Sequence, residues 1–203
     1  MEQQPIKPWK RGWYAASVVP DYTLPNNGIT FTTQDRATDK PGIHQLQICL
    51  AVVDADQNPP VKYVNYSVYY NAEAFFDDER LAELKAMAAQ YKNGKWPDGQ
   101  AQNEYIKAGE IGSLEKALNK DQDFQKSDGG GIDVSTITES ACDVLLSIFR
   151  KDPASGYTKE VPKDLMDTYF ATGEGWSKWF YGVTKFAPSE TMANKVPKKA
   201  KSA

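Results

Sequence analysis

Apolar and polar positions alternate through GWYAASVV (12–19), which places Tyr14, Ala16 and Val18 on one face. After the turn PNNG, the segment ITFTTQ keeps Ile29, Phe31 and Thr33 in register. The polar stretch DRATDKPG is expected to be a loop. IHQLQICLAVVD (43–54) then sets His44, Leu46, Ile48, Leu50 and Val52 on one side, and QNPP closes it. VKYVNYSVYY (61–70) separates Val64, Tyr66, Val68 and Tyr70 from Tyr63, Asn65, Ser67 and Tyr69. A period of two with β-branched and aromatic residues predicts strands throughout.

The period changes in FFDDERLAELKAMAAQYKNG, where Leu81, Leu84, Ala88 and Tyr91 recur at helical spacing. Asp77 or Asp78 is the expected N-cap and Gly94 the stop. KWPDGQ reads as a loop, a shorter helix is expected from Ile111 to Asn119, and KSDGGG (126–131) reads as a flexible link. Alternation returns in ACDVLLSIFRK (141–151), with Cys142, Val144, Leu146 and Ile148 together. DPASG turns the chain into YTKEV, a short helix is expected from Pro162, and WSKWFYGVTKF (176–186) is the last predicted strand.

Strands, then helix, then strands is the chain order of an OB-fold, so the predicted class is β-rich α+β. The expected architecture is an OB-like Greek-key barrel with one or two helices inserted between its strands. In this reading residues 1–11 form a basic arm, 12–186 a single domain, and 187–203 a disordered Lys-rich tail.

Of 203 residues, 40% are hydrophobic and 25% charged, as in a globular protein. The first residues lack the apolar run of a signal peptide, and ICLAVV (48–53) is too short to span a bilayer, so neither secretion nor membrane insertion is expected. Cys49 and Cys142 sit inside strand-like runs and read as buried, reduced thiols. One histidine and two separated cysteines leave no zinc site, and no cofactor is expected. Nor is an enzyme: His44 has no nucleophile motif beside it and reads as a core or edge histidine, while SDGGGID lacks the lysine and hydroxyl of a P-loop. The net charge of −3 is unevenly spread, with +2 in residues 1–11, +5 in 178–203 and −10 between them. Basic ends on an acidic body can approach a polyanion.

Sequence-tolerant binding of single strands needs flat rings for bases and cations for phosphates. Tyr63 and Tyr69, flanked by polar neighbours on the second face of their strand, are the tyrosines expected to meet solvent; packing beneath the helices or the closing strand is the alternative. Lys62 lies beside them. KPWKRGWY (7–14) interleaves Lys7, Lys10 and Arg11 with Trp9 and Trp13, although Trp13 is equally an anchor for the arm. In the last strand Phe180 is expected in the core, and Trp179, with Trp176 and Lys178 nearby, stays open between core and binding surface.

GEIGSLEKAL (109–118), CDVLLSIFRKDPASGYTKEV (142–161) and the aromatic closing strand together resemble the single-stranded-DNA-binding accessory proteins of bacteriophages. The resemblance spans residues 12–186. It implies a non-enzymatic protein of phage DNA replication or recombination, working in the cytoplasm of an infected bacterium on single-stranded DNA alongside replication or recombination proteins. Many such proteins end in an acidic, partner-recruiting tail, whereas this chain ends KVPKKAKSA. The alternative is a virion or assembly component, a β-rich interaction module that binds no nucleic acid.

Overall fold

The alternating segments become the long strands of one antiparallel sheet. A computed structural model describes residues 9–25, 28–57, 59–92, 94–118, 123–152, 154–172 and 179–191, with side chains excluded at 169–172. In chain order the elements are β1 (Gly12–Val19), β2 (Asp21–Thr23), β3 (Thr30–Thr32), β4 (Gln34–Ala37), β5 (Ile43–Val53), β6 (Val61–Asn71), α1 (Ala72–Phe75), α2 (Asp78–Gln90), α3 (Gly99–Leu118), a 3-10 turn (Val134–Thr136), β7 (Ala141–Lys151), β8 (Thr158–Glu160), α4 (Lys163–Thr172) and β9 (Trp179–Pro188). No helix among the described residues is long and apolar enough to cross a membrane.

The long strands lie in the order β6–β5–β1–β7–β9, with β4 added beside β5 and β8 beside β7 to make a seven-stranded sheet. Register follows the hydrophobic pattern, because a slip of one residue would expose every buried side chain. Ile48 stands opposite Tyr66 and Leu50 opposite Val64. Val18 opposes Leu50, and Ala16 opposes Cys142. Between β7 and β9 the register shifts at Leu145/Leu146, where Thr184 is the extra residue. This bulge carries the inward face from Tyr181 and Val183 to Phe186.

β6 and β9 end this run and approach each other without a shared ladder among the described residues. Tyr66 meets Phe186 edge-on at 4.8 Å between ring centres, and the Lys62 ammonium lies 4.0 Å above the Tyr181 ring. The sheet is therefore not the closed barrel expected from the strand order. Across that seam the two strands meet through side chains rather than a backbone ladder.

Leu46, Ile48, Leu50, Val144 and Leu146 share one core, as their common faces predict. Ile148 packs apart from it, with Val161 and Met166. The helix covering the core is α3, through Ile111, Leu114, Ala117 and Leu118. Leu84 of α2 instead joins Trp96 and Ala101 in a small peripheral cluster. Asp77 caps α2, accepting from the backbone N–H groups of Glu79 and Arg80, and the helix gives way at Tyr91, before Gly94. α3 is far longer than the expected Ile111–Asn119 because Asp98 accepts the Gln100 N–H at 2.8 Å and starts a helix within the supposed loop.

Residues 126–131 are not a loose link. Lys126 bridges Ile132, and the Ser127 N–H donates to the Gly131 carbonyl at 2.8 Å. Gly131 has no side chain because an added Cβ would fall on Asp35 Oδ1 and His44 Nδ1. The supposed loop DRA is the edge strand β4, whose Asp35 carboxylate accepts the Tyr70 hydroxyl at 2.7 Å and pairs with His44 Nδ1 at 2.6 Å. At the other end, Ala187 and Pro188 belong to β9 rather than to a tail, pairing with Asp143 and Cys142. Residues 192–203 of the expected tail and 1–8 of the expected arm lie outside the described residues. Cys49 and Cys142 are buried free thiols, and burial pushes Cys142 up to about 12.

Candidate nucleic-acid interface

The outward face of β6 carries Tyr63, Asn65, Ser67 and Tyr69. Tyr63 is 51% exposed and Tyr69 55%, whereas Tyr70 is buried and Tyr66 half-buried. The pleat divides the tyrosines of this strand as the alternation requires.

Tyr63 is not isolated. The hairpin β2–β3 folds over it, fastened by Thr33, whose hydroxyl donates to the Val19 carbonyl at 2.6 Å and accepts the Cys49 N–H at 2.9 Å. Gln47 donates to the Thr32 carbonyl at 2.8 Å. Tyr22 and Phe31 stand opposite one another across that hairpin and stack at 5.2 Å. Tyr22 then stacks on Tyr63 at 5.1 Å and 18°. Three rings thus form a short column. Burial pushes the Tyr22 phenol up to about 12, so it is uncharged at neutral pH.

A second ring pair faces the column. Phe149 of β7 and Phe180 of β9 are paired in register and stack at 6.0 Å and 26°. Gly182 makes room for this, since a Cβ there would press on Phe149 at 2.8 Å. Phe180 is 46% exposed, which corrects its expected place in the core: Tyr181 and Val183 take the inward positions, so pleating turns Phe180 out. Between the column and the pair runs an open groove of about 570 Å³, with Val64, Tyr66, Tyr181 and Val183 along it. Lys62 is not among the residues lining this groove: its ammonium lies over the Tyr181 ring, and burial pulls its pKa down. Beyond it the turn from β7 to β8 carries Tyr157, 74% exposed.

The other anticipated residues disperse. Trp9 is 1% exposed and belongs to the core, which corrects its assignment to a strand-tracking arm. Its ring packs against Tyr14 at 5.1 Å, and its backbone N–H donates to the Tyr181 hydroxyl at 2.8 Å. A large apolar ring next to an uncovered part of the core gains more by burial than by waiting for a base. Arg11 is exposed and paired with Glu160 at 3.2 Å. Lys10 is exposed, and its carbonyl accepts the Tyr14 hydroxyl at 2.8 Å. Trp179 packs partly buried against the cluster of Ile148, Val161 and Met166 and is not among the residues lining the groove. Lys7, Trp176 and Lys178 lie outside the described residues.

Tyr69 faces a different opening. It lines a polar pocket of about 1020 Å³ with Arg36, Lys40, Asn71 and residues of α3. The groove residues that sequence reasoning missed are Tyr22, Phe31, Phe149 and Phe180. The signal for Phe149 was present, because it alternates with the inward Leu146 and Ile148; that for Tyr22 required knowing how the hairpin folds back. No protein-family profile matches this chain, and no curated protein does.

Proposed function

We propose that this chain binds single-stranded DNA without catalysing a reaction, in phage DNA replication or recombination, by stacking bases in the groove between Tyr63 and Phe180. The observation that carries the reading is the groove itself. Five rings, Tyr22, Phe31, Tyr63, Phe149 and Phe180, stack in contact with one another, as a column and a pair, along an opening whose floor is the edge of the core at Val64, Tyr66, Tyr181 and Val183. Every base has a π-face, so such walls hold strands with little regard to sequence. Lys62 supplies a cation over Tyr181, a neighbouring residue of the groove. DNA as the ligand and the phage setting rest on the resemblance of GEIGSLEKAL and CDVLLSIFRKDPASGYTKEV.

The strand arrangement supports the same reading. We take the sheet as an OB-like barrel left open at one seam, with β1, β5, β6, β7 and β9 as its five strands and α2 and α3 between the third and the fourth. Oligonucleotides on OB-folds lie over the second and third strands and the loops after the first and fourth. Of the corresponding parts here, β6, the β2–β3 hairpin and β8 contribute to the groove, which β7 and β9 close on the other side; β5 contributes no lining residue. The competing reading, an assembly or virion module, draws on the same exposed rings together with the exposed Tyr105 and Ile106 of α3.

Fluorescence anisotropy with single- and double-stranded oligonucleotides of one sequence, at two salt concentrations, separates the two. Tighter binding of the single strand, weakening with salt as counterions are released, is the expected result. Absence of binding at low salt favours the assembly module. Tyr63→Ala and Phe180→Ala should each weaken single-strand binding by about 1–3 kcal/mol while leaving melting nearly unchanged. Tyr66→Ala should instead lower the melting temperature markedly, because its ring packs against Phe186 and the core. Unaltered affinity in both outward variants would place the site elsewhere.

A further inference from the structure

We infer that the polar pocket beside Tyr69 is a second subsite for the same strand, holding phosphates and one further base, so that bound DNA runs along β6 from Tyr63 to Tyr69. The inference rests on the proposed single-strand binding and adds a direction and a length to it. Six residues of extended chain separate the two tyrosines, about 20 Å at about 3.4 Å per residue.

The pocket lies between the ends of β4, β5 and β6 and the first half of α3, and its volume of about 1020 Å³ is ample for a nucleotide. Three cations line it: Arg36, Lys40 and Lys107. Arg36 is aimed by its neighbours. Its Nε and Nη2 both donate to Gln45 Oε1, at 3.0 and 2.7 Å, and Gln45 Nε2 donates to Ser67 Oγ at 2.8 Å. The Nη1 edge takes no part in that chain. Of the two carboxylates lining the pocket, Glu104 is neutralised by Arg80 at 2.8 Å, which leaves Asp39. Lys107 is shared with Glu110 at 2.9 Å. The exposed Tyr69 ring offers the stacking face that a base requires.

The surface between the subsites suits a polyanion. Cross-strand register places Gln45 opposite Tyr69, Gln47 opposite Ser67 and Cys49 opposite Asn65. On the next strand Gln34 opposes Gln47, and Arg36 opposes Gln45. The exposed outward positions of β4, β5 and β6 over this stretch carry amides, hydroxyls and one guanidinium, and no carboxylate; Cys49 is buried beneath the β2–β3 hairpin. On a body whose net charge is −10 between residues 12 and 177, such a lane is where phosphates can pass without repulsion.

The test is affinity against length, using thymidylate oligonucleotides of about 4 to 16 nucleotides. Wild-type protein should gain affinity a second time once the strand spans both subsites. The double variant Lys40→Ala/Lys107→Ala, and separately Tyr69→Ala, should lose about tenfold in affinity for the long strands, and much less for the shortest. Circular dichroism melts confirm that both variants fold. If they follow wild type at every length, or lose equally at all lengths, the second subsite is wrong while groove binding stands. If wild-type protein binds none of the oligonucleotides, the proposed function falls and this inference with it.

Discussion

Asp35→Ala should destabilise the fold by about 3–5 kcal/mol, the cost of removing one partner from a buried, hydrogen-bonded charge. The Asp35 side chain is 3% exposed and stands 2.6 Å from His44 Nδ1. Its second oxygen accepts the Tyr70 hydroxyl at 2.7 Å, and the Tyr70 oxygen in turn accepts the Ile132 N–H at 3.1 Å. One carboxylate therefore ties β4, β5 and β6 to the segment after the KSDGGG turn. Alanine leaves a phenol and an imidazole buried without their acceptor. Asp35→Asn, which keeps an acceptor oxygen, should cost less. Gly131→Ala should cost about 1–3 kcal/mol by overpacking, because the new methyl lands on this network. Urea unfolding of the three variants checks the order; a mild Asp35→Ala would mean that the network adds little to stability.

Ile48→Ala should cost about 2–5 kcal/mol by leaving a cavity at the centre of β5. Ile48 is fully buried among Leu46, Leu50, Val64, Val68 and the α3 residues, and β5 is held by β6 on one edge and by β4 and β1 on the other. So many ladder bonds let the backbone relax little, which favours the upper part of that range. Leu84→Ala offers the contrast. Leu84 is equally buried, but its cluster with Trp96 and Ala101 sits at the α2–α3 contact and can settle inward, so the lower part is expected. Equal losses for the two would show that α2 is as tightly built into the fold as β5.

Faces of strands were legible in the sequence because burial on one side imposes a strict period of two. Tyr63 and Tyr69 outside, with Val64, Val68 and Tyr70 inside, required nothing beyond that rule. Which helix covers the sheet was not legible. Residues 100–110 of α3 include the exposed Tyr105 and Ile106 and two charged pairs with neighbouring side chains, so they lack an apolar stripe; α2 has the more regular spacing yet packs at the periphery. The Trp9 reading failed for a related cause. Lysines and tryptophans in alternation look alike whether the rings await a base or anchor the chain, and only the position of the core decides between them. KSDGGG misled through its glycines, one of which is there because Asp35 and His44 crowd the backbone.

The bulge in β9 also has a consequence at the level of the gene. Thr184 and Lys185 both point outward opposite Leu145, and Phe186 resumes the inward face opposite Val144. Loss of the Thr184 codon would restore one-to-one pairing while Val183 stays inward, Lys185 outward and Phe186 inward. Loss of Phe180 or Tyr181 instead would shift the parity of the rings on one side of the bulge against β7 and turn core side chains to water. A strand is usually intolerant of single-residue deletion, but this one carries a position at which a reading-frame-preserving deletion leaves every ring on its own side.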